Sequence, residues 1–111
     1  MGDAVKLSIS KEYSAYPAGR DEADGPYNGE KFRKNLLLPY YNRALENNSS
    51  LVVSLDGVMS FGSSFLEEAF GGLIRKEKVE KKDLKKRLEI VIGRPGNVRY
   101  KAAIIRYIDQ A

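Results

Sequence analysis

The fold is decided by residues 51–75, which read LVVSLDGVMSFGSSFLEEAFGGLIR. The first five, Leu51 to Leu55, form a nearly continuous apolar run before the Asp56–Gly57 turn, which predicts a strand of a parallel sheet covered on both faces. From Ser63 to Arg75, apolar residues recur in pairs four apart, as is typical of a helix with a wide buried face. The stretch therefore predicts a strand, a turn and a packed helix in succession.

Strand and helix patterns alternate on both sides of this unit. Apolar residues alternate with more polar ones over residues 4–9, and residues 87–92, which read RLEIVI, are predicted to form another strand. Residues 30–46 carry a helical stripe that Pro39 should kink or restart. A last helix follows Asn97, which we expect to cap it. Its inner face is predicted to carry Val98, Ala102, Ile105 and Ile108. This alternation argues for α/β, with a parallel or mixed sheet under helices.

Three segments lack this regularity. Residues 14–29 are rich in Gly, Pro and acidic residues and predict a long loop, of the kind that is often functional or mobile. Gly71 and Gly72 interrupt the second helix, which indicates close packing against another element or an early end. Residues 76–86 are strongly polar and predict a short polar helix or an exposed loop.

The amino-acid composition excludes several classes of catalytic and metal-binding site. The chain has 111 residues, enough for one domain, and it contains no His, Cys or Trp. A Ser-His-Asp triad, a Cys nucleophile and a His/Cys zinc site are therefore excluded, as is any disulfide. No phosphate-cradling glycine motif occurs, and the N-terminus resembles neither a signal peptide nor a membrane span. We expect a cytoplasmic, bacterial-type protein with no catalysis, no cofactor and no membrane association of its own.

Charge is unevenly distributed along the chain. Residues 1–74 hold 7 basic and 10 acidic residues, whereas residues 75–111 hold 12 basic and 5 acidic ones. One interpretation is a solvated surface, because acids are interleaved and no aromatic stacking set accompanies the run. The alternative is a nucleic-acid-binding module over residues 75–106. Its candidate anion contacts are Arg75, Lys76, Lys82, Lys86, Arg94 and Arg99.

Two hydroxyls stand at the start of the second helix. Ser64 and Glu67 have the spacing of a capping box, in which the hydroxyl and the carboxylate bind backbone N–H groups. Alternatively, a phosphate on Ser63 or Ser64 would meet the positive end of the helix dipole, partly opposed by Glu67 and Glu68. The residues by themselves leave both interpretations open.

The strand–turn–helix unit resembles the STAS domain, typified by anti-sigma factor antagonists, and is closer to the bacterial STAS-like domains of unknown function. The resemblance spans roughly residues 5 to 108. Its specific part is the run GSSFLEEAF at residues 62–70. The other matching segments are Gly19-Arg20, Asn28-Gly29-Glu30-Lys31-Phe32-Arg33, Pro39, Asp56-Gly57-Val58 and Gly71-Gly72-Leu73.

The resemblance implies a single STAS-like domain over residues 1–111, with a mixed sheet of about four strands and helices mainly on one face. It also implies a non-enzymatic, regulatory role in protein binding. Anti-sigma factor antagonists bind a histidine-kinase-like ATPase and are switched by phosphorylation of a serine, which matches Ser64 here, with Ser63 beside it. Gly62 and Phe65 depart from the pattern, which has an acidic residue and a glycine there. The expected partner surface consists of Asp56, Gly57, Ser60, Gly62, Phe65, Glu67 and Glu68.

Overall fold

Three short parallel strands form the sheet of the computed structural model, which describes residues 3–111. They are β1 (Val5–Ser8), β2 (Leu51–Ser54) and β3 (Leu88–Val91), with β2 in the middle. Val5 pairs with Leu51, and Leu51 pairs with Leu88. The α/β class is confirmed. The fourth strand is not found among residues 3–111, and the sheet is parallel rather than mixed.

Only one face of the sheet is covered. Along β2, Leu51 and Val53 are fully buried, whereas Val52 and Ser54 alternate with them and are half-exposed. The prediction that β2 is covered on both faces is therefore wrong. The packing of helices on one face agrees with the arrangement that we expected. The buried side of the sheet consists of Val5, Leu7, Leu51, Val53, Leu88 and Ile90.

The helices surround this buried face and include two π-helical segments. The α-helices are α1 (Ile9–Glu12), α2 (Gly29–Phe32), α3 (Leu38–Asn47), α4 (Ser63–Leu66), α5 (Gly72–Arg75), α6 (Lys81–Arg87) and α7 (Val98–Gln110). The π-helical segments are Arg33–Leu37 and Glu67–Gly71, and a 3₁₀ turn spans Pro95–Asn97. Each π segment joins two α-helices, so that residues 29–47 and residues 63–75 form continuous helices. None of the helices within residues 3–111 is long and apolar enough to cross a membrane.

The first long helix changes from π to α just before Pro39, where the sequence pattern predicts a kink or a restart. Pro39 lies in the first turn of α3, directly after the π segment Arg33–Leu37. The N–H of Leu38 still donates to the carbonyl of Arg33, but Pro39 has no N–H to continue the series. The wider π turn therefore ends where the proline removes a donor.

The loop of residues 14–28 packs beside the segment that follows β2. The N–H of Met59 donates to the carbonyl of Ala15 at 2.8 Å, and that of Gly62 donates to the carbonyl of Pro17 at 3.1 Å. Residues 14–28 contain no strand. The loop is therefore fixed through its backbone to the entrance of the second long helix.

Helix α7 turns a different face inward from the one predicted. Ile104 and Ile108 are buried, whereas Val98, Ala102 and Ile105 are exposed, so the prediction holds for Ile108 alone. The helix carries two apolar stripes, and packing against the π segment Glu67–Gly71 selects the one with Ile104. Asn97 provides no side-chain cap for α7. Its buried amide instead donates to the carbonyl of Ile92 at 2.7 Å.

Candidate functional site

The carboxyl ends of the three strands meet at one edge of the sheet. Ser10 follows β1, residues 56–62 follow β2, and Arg94 follows β3. In α/β sheets, ligands and partners are commonly bound beyond the carboxyl ends of the strands. We call residues 56–64, together with Ser10 and Arg94, the carboxyl-edge surface.

Contacts from the segments that follow both neighbouring strands hold the turn after β2. The hydroxyl of Ser10 donates to the carbonyl of Asp56 at 2.8 Å. Gly57 has φ +85°, and a Cβ there would lie 2.6 Å from the Ser10 Oγ, so only glycine fits. On the other side, Nη2 of Arg94 donates to the carbonyls of Val58 and Met59 at 3.2 and 3.3 Å. The backbone of this turn is therefore held in one conformation by contacts on both sides.

Several residues of this turn are open to solvent. Asp56, Gly57, Met59 and Ser60 are exposed, and Met59 presents 54% of its surface. Val58 is buried and anchors the turn. A methionine exposed to this extent adapts well to a partner because its side chain is flexible and polarizable. The sequence reasoning did not single out Met59, whose only signal was its place in a polar turn.

Ser63 and Ser64 occupy the first turn of α4, but neither caps it. The N-cap residue is Gly62, and no side chain accepts a hydrogen bond from the helix start. The capping-box prediction for Ser64 and Glu67 is wrong, because the helix begins one residue before Ser64. Glu67 pairs with Arg20 and Arg75. Ser63 is exposed and Ser64 is half-buried. The Ser63 hydroxyl is therefore accessible from solvent.

Phe65 lies in the core beneath the carboxyl-edge surface. It is fully buried, with its ring centroid 5.4 Å from that of Phe32 and 6.1 Å from that of Phe61. Phe61 in turn contacts Tyr100 edge to face at 4.9 Å. Phe65 therefore contributes no side-chain surface to a partner and instead fixes the helix start from within. Its bulk fills this aromatic cluster.

Glu68 is likewise buried, in a cluster of charges. Its carboxylate accepts from Nη1 of Arg33 at 2.7 Å and from Nζ of Lys76 at 2.9 Å. Burial raises the pKa of Glu68, but hydrogen bonds from Lys76 and Arg33 outweigh it and lower the pKa to about 2. Glu67 is more open, and Arg20 and Arg75 lower its pKa despite partial burial. Both carboxylates are therefore ionised and neutralised within the chain.

Arg33 is the residue of this cluster that the sequence reasoning missed. Its side chain is 1% exposed, and its Nε donates to the carboxylate of Glu77 at 2.9 Å. The sequence did not indicate that an arginine would be buried there.

The six basic residues proposed for nucleic-acid contact do not form one patch of free cations. Arg75 and Lys76 pair with Glu67 and Glu68, and Arg94 is engaged with backbone carbonyls. The Arg99 guanidinium lies 4.7 Å from the ring centroid of Tyr100. Lys82 and Lys86 are exposed on α6. Within residues 3–111, no group of three or more acidic, His or Cys residues is placed to hold a metal ion.

Comparison with known proteins identifies one family. The model of the family described as a STAS-like domain of unknown function matches residues 28–92, which is more than half of the chain. The match includes β2, β3 and the entire helix of residues 63–75. It does not include β1 or α7. No curated protein and no solved structure shows a significant match to the chain.

Proposed function

Because the chain belongs to the family of STAS-like domains of unknown function, we propose that it is a non-enzymatic regulatory domain that binds another protein through the carboxyl-edge surface. The observation that carries this proposal is the turn after β2. Its backbone is fixed by Ser10 and Arg94, while Met59 and Ser60 stand exposed. A fixed backbone lowers the entropic cost of binding, and exposed apolar surface supplies affinity.

Residues of the expected surface contribute in two ways under this proposal. Asp56, Gly57 and Ser60 face solvent and contact the partner. Buried Phe65 and Glu68 act indirectly, by positioning the start of the helix. Gly62 lies against Ala18, so the loop of residues 14–28 borders the same surface.

A serine at the helix start is the proposed switch. Ser63 is exposed, and no side chain accepts a capping hydrogen bond at the N-terminal end of the helix of residues 63–75. A phosphate there would meet unpaired N–H groups and the positive end of the dipole. Glu67 and Glu68 would oppose it, but their charges are already balanced by Arg20, Arg75, Arg33 and Lys76. Ser64, which matches the phosphorylated serine of the related antagonists, is the alternative acceptor.

The proposed partner is a histidine-kinase-like ATPase of the anti-sigma kinase type, as the family resemblance implies. The test is affinity capture from native lysate with three immobilised proteins, the wild type, Met59→Glu and Leu45→Glu. Leu45 is a matched control, since it is 46% exposed on α3 and lies outside the carboxyl-edge surface. We expect the wild type and Leu45→Glu to capture such an ATPase and Met59→Glu to lose it.

The same captured ATPase tests the switch. Incubation with ATP should add one phosphate to the wild type by intact mass, and the Ser63→Ala and Ser64→Ala variants identify the acceptor. Equal capture by all three immobilised proteins, or retention of nucleic acid alone, would contradict the proposal. No observation from the fold, the site or the family match favours the nucleic-acid alternative.

A further inference from the structure

The second face of the sheet is open, which is unusual for parallel strands. Sheets of parallel strands are almost always covered on both faces. Within residues 3–111, however, Glu89 and Val91 of β3 are exposed on this face, and Val52 and Ser54 of β2 are half-exposed. A depression of 590 Å³ lies over it. We call the side chains of Lys6, Ser8, Val52, Ser54, Glu89 and Val91 the open face.

The two outer strands of the open face carry opposite charges. The strand register places Lys6 of β1 beside Val52 of β2, and Val52 beside Glu89 of β3, so that the three residues form one row across the sheet. The residues that follow them along the strands are buried on the covered side, and alternation therefore places the row on the open face. Lys6 and Glu89 are exposed, and neither takes part in an ion pair within residues 3–111. The open face is therefore positive at β1 and negative at β3.

We propose that a second copy of this chain covers the open face, in a dimer whose two-fold axis runs parallel to the strands, between the two sheets. A rotation of 180° about this axis exchanges the outer strands, so that Lys6 of each copy faces Glu89 of the other. Val52 lies on the middle strand and faces its own counterpart. Sheets packed face to face lie about 10 Å apart, a gap that a lysine and a glutamate side chain together can bridge. The second copy is the occupant because the open face is complementary in charge to itself.

The charges also select this axis over the other symmetric arrangement. A two-fold axis across the strands would leave each outer strand over its own counterpart. Lys6 would then face Lys6, and Glu89 would face Glu89, and such like-charge contacts oppose association.

A second pair of opposite charges fits the same axis. Lys11 follows β1 and Asp56 follows β2, and both are exposed and line the same depression. Asp56 lies against Gly93, which follows β3. The exchange of outer strands therefore brings Lys11 of one copy near Asp56 of the other. Asp56 also belongs to the carboxyl-edge surface, so the tests below leave it unchanged.

The dimer should be weak. Three strands of four residues span only about 14 by 13 Å, whereas a stable interface buries about 800 Å² on each partner. Ion pairs at such a surface supply specificity more than affinity. The dimer should therefore exchange with the monomer, with a dissociation constant between about 10 μM and 1 mM.

Sedimentation equilibrium of the full chain, from about 10 μM to 1 mM, tests the proposal. The weight-average mass should rise with concentration from that of the monomer toward twice that value. Lys6→Glu and Glu89→Lys each place like charges opposite one another twice in the dimer, and each should raise the dissociation constant about tenfold.

Two further variants separate the facing charges from net charge. The double variant Lys6→Glu/Glu89→Lys exchanges the two charges at constant net charge and should associate as the wild type does. Lys101→Glu changes the net charge as Lys6→Glu does, but Lys101 is exposed on α7, outside the open face. It should associate as the wild type does. Circular dichroism of each variant checks that the fold is retained.

Four outcomes overturn the proposal. They are a wild type that stays monomeric at about 1 mM, a dimer that Lys6→Glu leaves intact, a folded double variant that does not recover association, and equal weakening by Lys101→Glu. A monomeric wild type that captures a different protein, which Lys6→Glu does not capture, would assign the open face to that protein instead. None of these variants alters Met59 or Ser60, so this proposal and the carboxyl-edge surface succeed or fail separately.

Discussion

At the scale of single residues, Gly72 makes room for the buried guanidinium of Arg33. A Cβ at Gly72 would overlap Nη1 of Arg33. The same Nη1 donates to the backbone carbonyl and to the carboxylate of Glu68, each at 2.7 Å. The close packing that the Gly71–Gly72 pair predicts is therefore confirmed at Gly72, and its neighbour is an arginine.

Gly72→Ala should lower the free energy of unfolding by about 2 kcal/mol, because the added methyl must displace a fully buried, ion-paired side chain. Gly96→Ala is the control, since a Cβ there meets nothing within 4 Å. It should change stability by less than about 0.5 kcal/mol. Urea unfolding of both variants checks this, and similar midpoints would contradict the packing at Gly72.

Glu68 should make stability depend on pH in the acid range. Its folded-state pKa is about 2, below the ordinary value of 4.5, so the unfolded chain takes up this proton first as the pH falls. The stabilisation is complete above about pH 4.5 and is lost as the pH falls toward 2. It amounts to at most about 3 kcal/mol.

The readout is the difference in unfolding free energy between the wild type and Glu68→Gln. Urea unfolding should give a large difference at pH 6 that shrinks between about pH 4.5 and 2, as the wild type loses the contribution of its carboxylate. A difference that stays constant over this range would show that Glu68 is not held ionised by Arg33 and Lys76.

At the scale of elements, the two long helices begin in different ways. The first is capped by Asn28, whose Oδ1 accepts from the N–H of Lys31 at 2.9 Å and whose amide donates to the carbonyl of Gly25. The second begins at Gly62 with no side-chain cap. The sequence spacing predicts a capping serine, but the helix begins at Ser63, so Ser64 lies inside its first turn, and Glu67 pairs with Arg20 and Arg75.

Asn28→Ala should lower the free energy of unfolding by about 2 kcal/mol, since it removes a buried cap and leaves a helix N–H without its acceptor. Ser64→Ala should cost less than about 0.5 kcal/mol. Thermal and urea unfolding of the two variants test the assignment. A loss of 1 kcal/mol or more in Ser64→Ala would restore the capping role.

At the scale of the whole molecule, the core extends beyond the segment that defines the family. Residues 28–92 match the family model. However, Val5, Leu7 and Ile9 before this segment, and Ile104 and Ile108 after it, are buried in the same core. The first three belong to β1 and α1, and the last two to α7, which packs on the π segment Glu67–Gly71.

A chain restricted to residues 28–92 should therefore not fold cooperatively. It would expose the apolar faces that β1 and α7 cover, and each buried apolar side chain contributes about 1.5–3 kcal/mol. Circular dichroism should show no sigmoidal thermal transition for the fragment and a clear one for the full chain. A cooperative transition in the fragment would mean that the outer elements are accessory.

Local sequence determined the order of the elements and the interruption at Pro39, because side-chain periodicity and a missing backbone donor act within a few residues along the chain. It also placed the turn after β2, since apolar runs and turn residues define such boundaries locally. The resemblance in residues 62–70 was sufficient to identify the STAS-like family.

Tertiary structure decided which of several equivalent local patterns is used. The sequence pattern predicted an inner face for α7 that is correct only at Ile108, and it gave no indication that Arg33 is buried. Packing against the π segment buries Ile104 rather than Ile105. Arg20, which is 47 residues away in the sequence, pairs with Glu67. Tertiary packing also determines which face of the sheet is covered, and within residues 3–111 it leaves the outer edge of β3 without a neighbouring strand. Burial and charge pairing depend on what the rest of the chain brings near, and no local window contains that information.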